Sequence, residues 1–295
     1  MVISNTASRN EGLIGSIIRR ARDLVNRIFS RAKGAVDLKG KIFLFDNDEL
    51  LLVWENELRE KRLKREEKAY KGFEKEFGKG SPQIAEAFIK WQEQLYTYIE
   101  QEKDRFIKQR QGSREALDDL LRAGAKTIVV TKGAKPYTEK CFNLVDLSAY
   151  ISDIYSPAPG KRDKRFLDAV LENGKSTSQK CLSDTIVVGH DPEKDMAWDL
   201  VPPKGQANDG NAPVLILFSA LPFYNDVDDP LDALPEIVAL LAKRGKNDFL
   251  RGFKTITTPE QAITKNYSFK IALYHNPKRS DKARIPVICD IKKRR

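Results

Sequence analysis

A chain of 295 residues, 41% apolar and 32% charged, can bury a sizeable core and still present a highly charged surface to water. No stretch reaches the roughly 18 apolar residues of a membrane-spanning helix, and Cys141, Cys181 and Cys289 form no C-x-x-C pair, which argues against a disulfide framework or a thiolate zinc site and for a reducing compartment. The net charge of +10 is unevenly placed: residues 1–40 hold eight Lys/Arg against three acids, residues 243–295 hold fifteen against four, and the stretch between them is acidic, an asymmetry that points to an anionic partner for the two ends.

In chain order, Leu13, Ile14, Ile17, Ile18, Leu24, Val25 and Ile28 recur at helical spacing, with Arg19, Arg20, Arg22, Arg27 and Arg31 mostly opposite. The pattern predicts a basic amphipathic helix over 13–33. Ile42-Phe43-Leu44-Phe45 reads as a strand buried on both faces, and it runs directly into Asp46-Asn47-Asp48. Two carboxylates so close repel unless a cation sits between them or one holds a proton. A metal ion or a role in proton transfer satisfies them; so does a turn in which Asp46 caps and Asp48 faces water. Residues 55–77 alternate acids and bases as a solvated helix does. Ser81-Pro82 restarts the chain as a helix start, and Ile84, Ala87, Phe88, Trp91, Leu95, Tyr98 and Ile99 draw an apolar stripe continued by Phe106. Two antiparallel helices inserted after the first strand follow.

The alternation resumes at Ser113, the expected N-cap of a helix over 113–123 that ends at Gly124. Strand 127–130 runs into Thr131-Lys132-Gly133, helix 135–145 precedes a weaker strand near 150–155, and Gly160-Lys161 opens a helix ending at Gly174. Strand 184–188 ends at Gly189-His190-Asp191, residues 213–218 form a fifth strand, and 231–241 a closing helix. Strands separated by helices at this spacing predict an α/β fold, a doubly wound parallel sheet with helices on both faces. Such sheets bind ligands at the carboxyl ends of their strands. Asp46, Asp48, Thr131, the Lys161 region and Asp191 all fall at those ends.

The stretches FLFDNDELLL, TIVVTKG, GKRDKRFLDAV and TIVVGHDPEKDMAWDL, in that order, resemble the haloacid dehalogenase-like hydrolases over residues 37–243. LDALPEIVALL is similar to the family's closing helix, and the inserted hairpin to the helical cap of many members. A receiver domain also uses Asp, Thr and Lys on a doubly wound sheet, but the insert after the first strand argues against it. The resemblance implies a Rossmann-like core of residues 37–53 and 112–243 and a cap over 54–111. Basic extensions of 1–36 and 244–295 flank them.

The resemblance further implies a phosphomonoester hydrolase acting on a small phosphorylated substrate. Asp46 would be the nucleophile that forms an aspartyl-phosphate, and Asp48 the general acid and base. Thr131 would bind a phosphoryl oxygen and Lys161 would neutralise charge. Mg2+ would be held by Asp46, the Asp48 backbone carbonyl, and an acid of the last motif, Asp191 or Asp195. Three positions depart from the pattern. His190 stands where the family places an aspartate, Glu49 adds a third acid, and Lys164 rivals Lys161. His190 leaves Mg2+ to Asp191, weakens its binding, ligates another divalent ion, or serves as a structural hydrogen-bonding residue. The alternative function is a catalytically weak or silent protein of this fold, docked by its basic ends on RNA, DNA or a large ribonucleoprotein or other assembly. The Arg-rich helix of 13–33 also has the make-up of a targeting presequence. The cytoplasm is the expected compartment, the mitochondrial matrix its alternative, and no membrane span is expected.

Overall fold

The computed structural model describes residues 36–48, 50–101, 106–131, 133–156, 185–190, 214–218, 231–244, 259–275 and 284–294. The helix expected over 13–33, Glu49, Lys161, Lys164, Asp191, Asp195 and the helix ending at Gly174 lie outside them. The chain divides into two compact units, Met1–Leu38 and Lys39–Arg295, and every element below belongs to the second.

The first strand, β1 (Ile42–Phe45), is buried along its whole length. A short antiparallel pair, β2 (Leu52–Trp54) and β3 (Ile107–Gln109), brackets two helices, α1 (Asn56–Phe77) and α2 (Pro82–Gln101). Then come α3 (Ser113–Arg122), β4 (Lys126–Val130), α4 (Lys135–Leu144), β5 (Asp153–Tyr155), β6 (Thr185–Gly189), β7 (Val214–Leu217) and α5 (Leu234–Arg244). The strands β8 (Glu260–Ile263), β9 (Tyr267–His275) and β10 (Arg284–Lys293) close the chain.

Eight strands make one sheet in the order β5-β4-β1-β6-β7-β10-β9-β8. From β5 through β10 every neighbouring pair is parallel; β9 and β8 then run as antiparallel partners. Phe43, Leu44, Phe45, Ile128, Val129, Ile186 and Val188 have no exposed surface, as expected of strands covered on both faces by flanking helices. β1 lies inside the sheet between β4 and β6, and Phe45 lies level with Val129 of β4 and Val188 of β6. The carboxyl ends of three adjacent strands therefore meet at one edge.

The inserted helices pack through Tyr70 and Phe88, whose rings meet edge-on at 5.8 Å. Their core-facing stripe is Ile84, Phe88, Gln92, Tyr96 and Ile99, all buried, whereas Trp91 and Leu95 of the expected stripe are only half-buried. Among the described residues no helix is long and apolar enough to cross a membrane.

Two further findings differ from the sequence reading. Gly112, not Ser113, caps α3, with φ at 79°, and a Cβ there would come within 2.7 Å of the Asp232 backbone nitrogen. Only glycine fits that close approach in the left-handed region. Ser113 becomes the first helical residue. The second concerns residues 244–295, where three strands join the main sheet. β10 lies between β7 and β9, pairing Val287 with Leu215 and Ile288 with Ile216, so residues 284–293 are built into the sheet. Tyr267, Phe269 and Ile271 of β9 are buried at every second position, the period of a half-buried strand.

Candidate active site

Asp46 follows β1, and its backbone N–H donates to the Val188 carbonyl at 3.0 Å, carrying the β1–β6 ladder one residue past the strand. The chain then doubles back. The Asn47 carbonyl accepts the N–H groups of both Leu51 and Leu52 at 3.1 Å, and the fully buried Leu50 and Leu51 anchor the turn. Asp48 bridges to Leu52, and the Trp54 indole N–H donates to Asp48 Oδ1 at 2.9 Å. Asp48 is half-buried, and its carboxylate accepts from a buried tryptophan within this turn.

Asp46 Oδ2 lies 3.2 Å from His190 Nδ1, and the two side chains are only 16% and 15% exposed. The histidine that departs from the family pattern thus sits against the expected nucleophile. Thr131 follows β4, buried, with its N–H donating to the Tyr155 carbonyl at 3.0 Å. Its Oγ1 accepts the N–H of Gly133 at 3.0 Å, which fixes the loop between β4 and α4. Asp46, Asp48, Thr131 and His190 are therefore gathered at the carboxyl ends of β1, β4 and β6. Lys161, Asp191 and Asp195 are sequence candidates outside the described residues.

The structure adds residues that the motifs did not single out. Trp54 aims Asp48. Gln92, fully buried on α2, accepts the Ala134 N–H through Oε1 at 2.7 Å. Arg110, 1% exposed beside β3, places its guanidinium 5.5 Å from the centre of the Phe218 ring at the end of β7, and its backbone N–H donates to the Leu51 carbonyl at 3.0 Å. Gln92 had one signal in the sequence, a polar residue at i+4 from Phe88 and i−4 from Tyr96 in an apolar row. Arg110 and Trp54 had none.

Among the described residues no group of three or more His, Cys, Asp or Glu could by itself hold a metal ion. The part of the expected donor set that is described, the Asp46 carboxylate and the Asp48 backbone carbonyl, consists of hard oxygen atoms and fits Mg2+. Asp191 or Asp195 would complete it.

A sequence model of the family described as haloacid dehalogenase-like hydrolase matches residues 44–197. No curated protein matches the chain. Among solved structures, a haloacid dehalogenase-like family hydrolase from Xanthomonas campestris is similar at 16% identity over 73% of this chain and 97% of its own, with a TM-score of 0.42. CbbY from Rhodobacter sphaeroides, solved in complex with phosphate, is similar at 12% identity over 64% of this chain and 91% of its own, with a TM-score of 0.39. A phospho-aspartyl intermediate analogue of phosphoserine phosphatase is similar at 18% identity, 61% of this chain, 87% of its own and a TM-score of 0.35.

Proposed function

This chain belongs to the haloacid dehalogenase-like hydrolases, and on that premise we propose that it hydrolyses small phosphate monoesters with Asp46 as nucleophile and Asp48 as general acid and base. The observation that carries the reading is the hydrogen bond from the Trp54 indole to Asp48 Oδ1, which holds the second carboxylate in a fixed direction at the end of β1. A carboxylate that only closes a turn has no need of a buried donor to aim it.

In the first step an Asp46 oxygen bonds to phosphorus as the ester P–O bond breaks, and Asp48 gives its proton to the departing oxygen. In the second, water attacks phosphorus and the P–O bond to Asp46 breaks while Asp48 takes the water's proton, which returns Asp46 as a carboxylate and Asp48 as an acid and releases phosphate. Thr131 Oγ1 already accepts the Gly133 N–H, so its own hydroxyl hydrogen is directed elsewhere and is available to a phosphoryl oxygen. Lys161 would offset charge on the phosphate. Asp46, the Asp48 backbone carbonyl and Asp191 or Asp195 would hold Mg2+, which when bound stabilises the negative charge of the transferring group. The helices of 54–111 would serve as the cap, and the cytoplasm or the mitochondrial matrix is the proposed compartment.

A second reading, a catalytically weak subunit that docks on RNA, DNA or a large assembly, draws on His190 in place of a motif aspartate and on the exposed Lys292, Lys293 and Arg294 at the end of β10. The deciding experiment is hydrolysis of p-nitrophenyl phosphate and a panel of phosphorylated metabolites, with Mg2+ and then with EDTA. Turnover that needs Mg2+ supports the hydrolase; none across the panel, with a folded chain, rejects it.

A further inference from the structure

Gln92 is fully buried, yet it brings an amide into the apolar row of α2 between Phe88 and Tyr96. Its oxygen accepts the Ala134 N–H at 2.7 Å, and its nitrogen lies 3.5 Å from Glu66 Oε1 on α1. One side chain therefore joins both inserted helices to the loop between β4 and α4. That loop is closely determined. Gly133 donates its N–H to Thr131 Oγ1 and its carbonyl accepts the Ser156 hydroxyl at 2.6 Å. The Ala134 carbonyl accepts the N–H and the hydroxyl of Thr138 at 3.0 and 3.1 Å. The Ala134 N–H is then satisfied from outside the loop, by Gln92. A Cβ on Gly133 would lie 3.3 Å from Thr138 Oγ1 of α4, a tight approach, and 3.7 Å from Gln92 Nε2, an ordinary contact that places the amide of α2 directly against the loop.

We propose that Gln92 is a positioning residue that locks the inserted helical pair to Gly133 and Ala134, so that the seat of the helices and the placing of Thr131 are one equilibrium. The coupling stands on the hydrogen bonds alone; its effect on turnover rests on the hydrolase reading above. A buried N–H stripped of its acceptor is costly, and here it regains one only if the loop deforms or the helices lift to admit water. Either route moves both partners.

The test uses the full chain with Gln92→Met, which keeps the length and volume but removes the acceptor, and the double variant Gln92→Glu with Glu66→Gln. The double variant exchanges donor and acceptor between the two helices and keeps an oxygen facing Ala134. Amide hydrogen exchange is followed at Ala134, along α2 and in β6. In Gln92→Met, Ala134 and the α2 amides near position 92 are expected to exchange together roughly tenfold faster or more, with β6 unchanged, and the double variant restores them. For p-nitrophenyl phosphate, KM rises roughly tenfold in Gln92→Met with a smaller change in kcat, and the double variant recovers it. Faster exchange at Ala134 with α2 unaffected, or a folded double variant that restores neither, overturns the coupling. Should Gln92→Met not fold, Gln92→Asn, which withdraws the amide by one methylene, is read in its place. A wild-type chain without phosphatase activity would overturn the proposed function, and the exchange measurements would still decide the lock.

Discussion

Trp54→Phe isolates the bond that aims Asp48. The substitution keeps a flat ring in β2 and removes one N–H, the donor 2.9 Å from Asp48 Oδ1. Trp54 is 1% exposed and Asp48 half-buried, so this donor reaches the carboxylate from the protein side. A hydrogen bond to Asp48 contributes about 1.5–3 kcal/mol when the carboxylate is charged, as it is when it takes the proton of water, and about 1.4 kcal/mol corresponds to tenfold in rate. If the bond orients Asp48 for proton transfer, kcat on p-nitrophenyl phosphate falls about 10- to 100-fold while KM moves little. The smaller ring also leaves a gap worth about 1–3 kcal/mol of stability, so a thermal melt is recorded beside the kinetics. Ile186→Val, a buried truncation in β6 costing about 0.5–1.5 kcal/mol, serves as the control for stability loss without a lost donor. A Trp54→Phe enzyme with kcat within twofold of wild type would refute the claim that this bond orients the acid.

Asp46→Asn is expected to abolish turnover while the circular dichroism spectrum is retained, because the amide is nearly isosteric but a far poorer nucleophile; surviving activity would remove Asp46 from that role. His190→Asp supplies a hard oxygen donor beside Asp46 and is expected to tighten Mg2+ binding by calorimetry and to lower the Mg2+ concentration for half-maximal hydrolysis; an unchanged requirement would mean that Asp191 already serves. Lys292→Glu with Lys293→Glu tests the docking reading: binding of a DNA duplex in low salt should weaken and its salt dependence flatten, with hydrolysis unchanged, and undiminished binding would make these lysines a solubilising fringe. Charge reversal is the cleaner test because deleting residues 278–295 would take β10 out of the middle of the sheet.

The strands β1, β4, β6 and β7 were legible because a strand covered on both faces must be apolar at every position, and IFLF, TIVV and VLIL can be little else. The placing of Asp46, Asp48 and Thr131 followed, since Asp46 and Thr131 directly follow such a run and Asp48 lies three positions past one. The C-terminal strands were hidden by their charge. The fourteen basic residues of 244–295 read as an extension, although YSFKI alternates apolar and polar at the strand period. Pro286 within β10 also weakens a strand reading. Gly112 displaced Ser113 as the cap because the backbone of Asp232, 120 residues later, approaches it, a contact no local pattern encodes. Gln92 was passed over because the apolar stripe of α2 was drawn through Trp91 and Leu95, while the buried row runs one position on.

The topology explains why these unforeseen residues matter together. The inserted helices leave the core through β2 and return through β3, and the same two strands flank the turn that carries Asp48. Trp54, the last residue of β2, holds Asp48, while Arg110, directly after β3, donates its N–H back to Leu51 in that turn. The stem of the helical pair and the Asp48 turn are thus one hydrogen-bonded piece. At its other end the pair is fastened through Gln92 to the loop that presents Thr131. A displacement of the helices relative to the sheet therefore has two routes to the site, one through Trp54 to the proposed proton donor and one through Gln92 to the proposed phosphate loop. In a chain built this way, the proposed cap and both halves of the proposed chemistry share their fastenings, so Trp54 and Gln92, which no motif singles out, are expected to govern turnover.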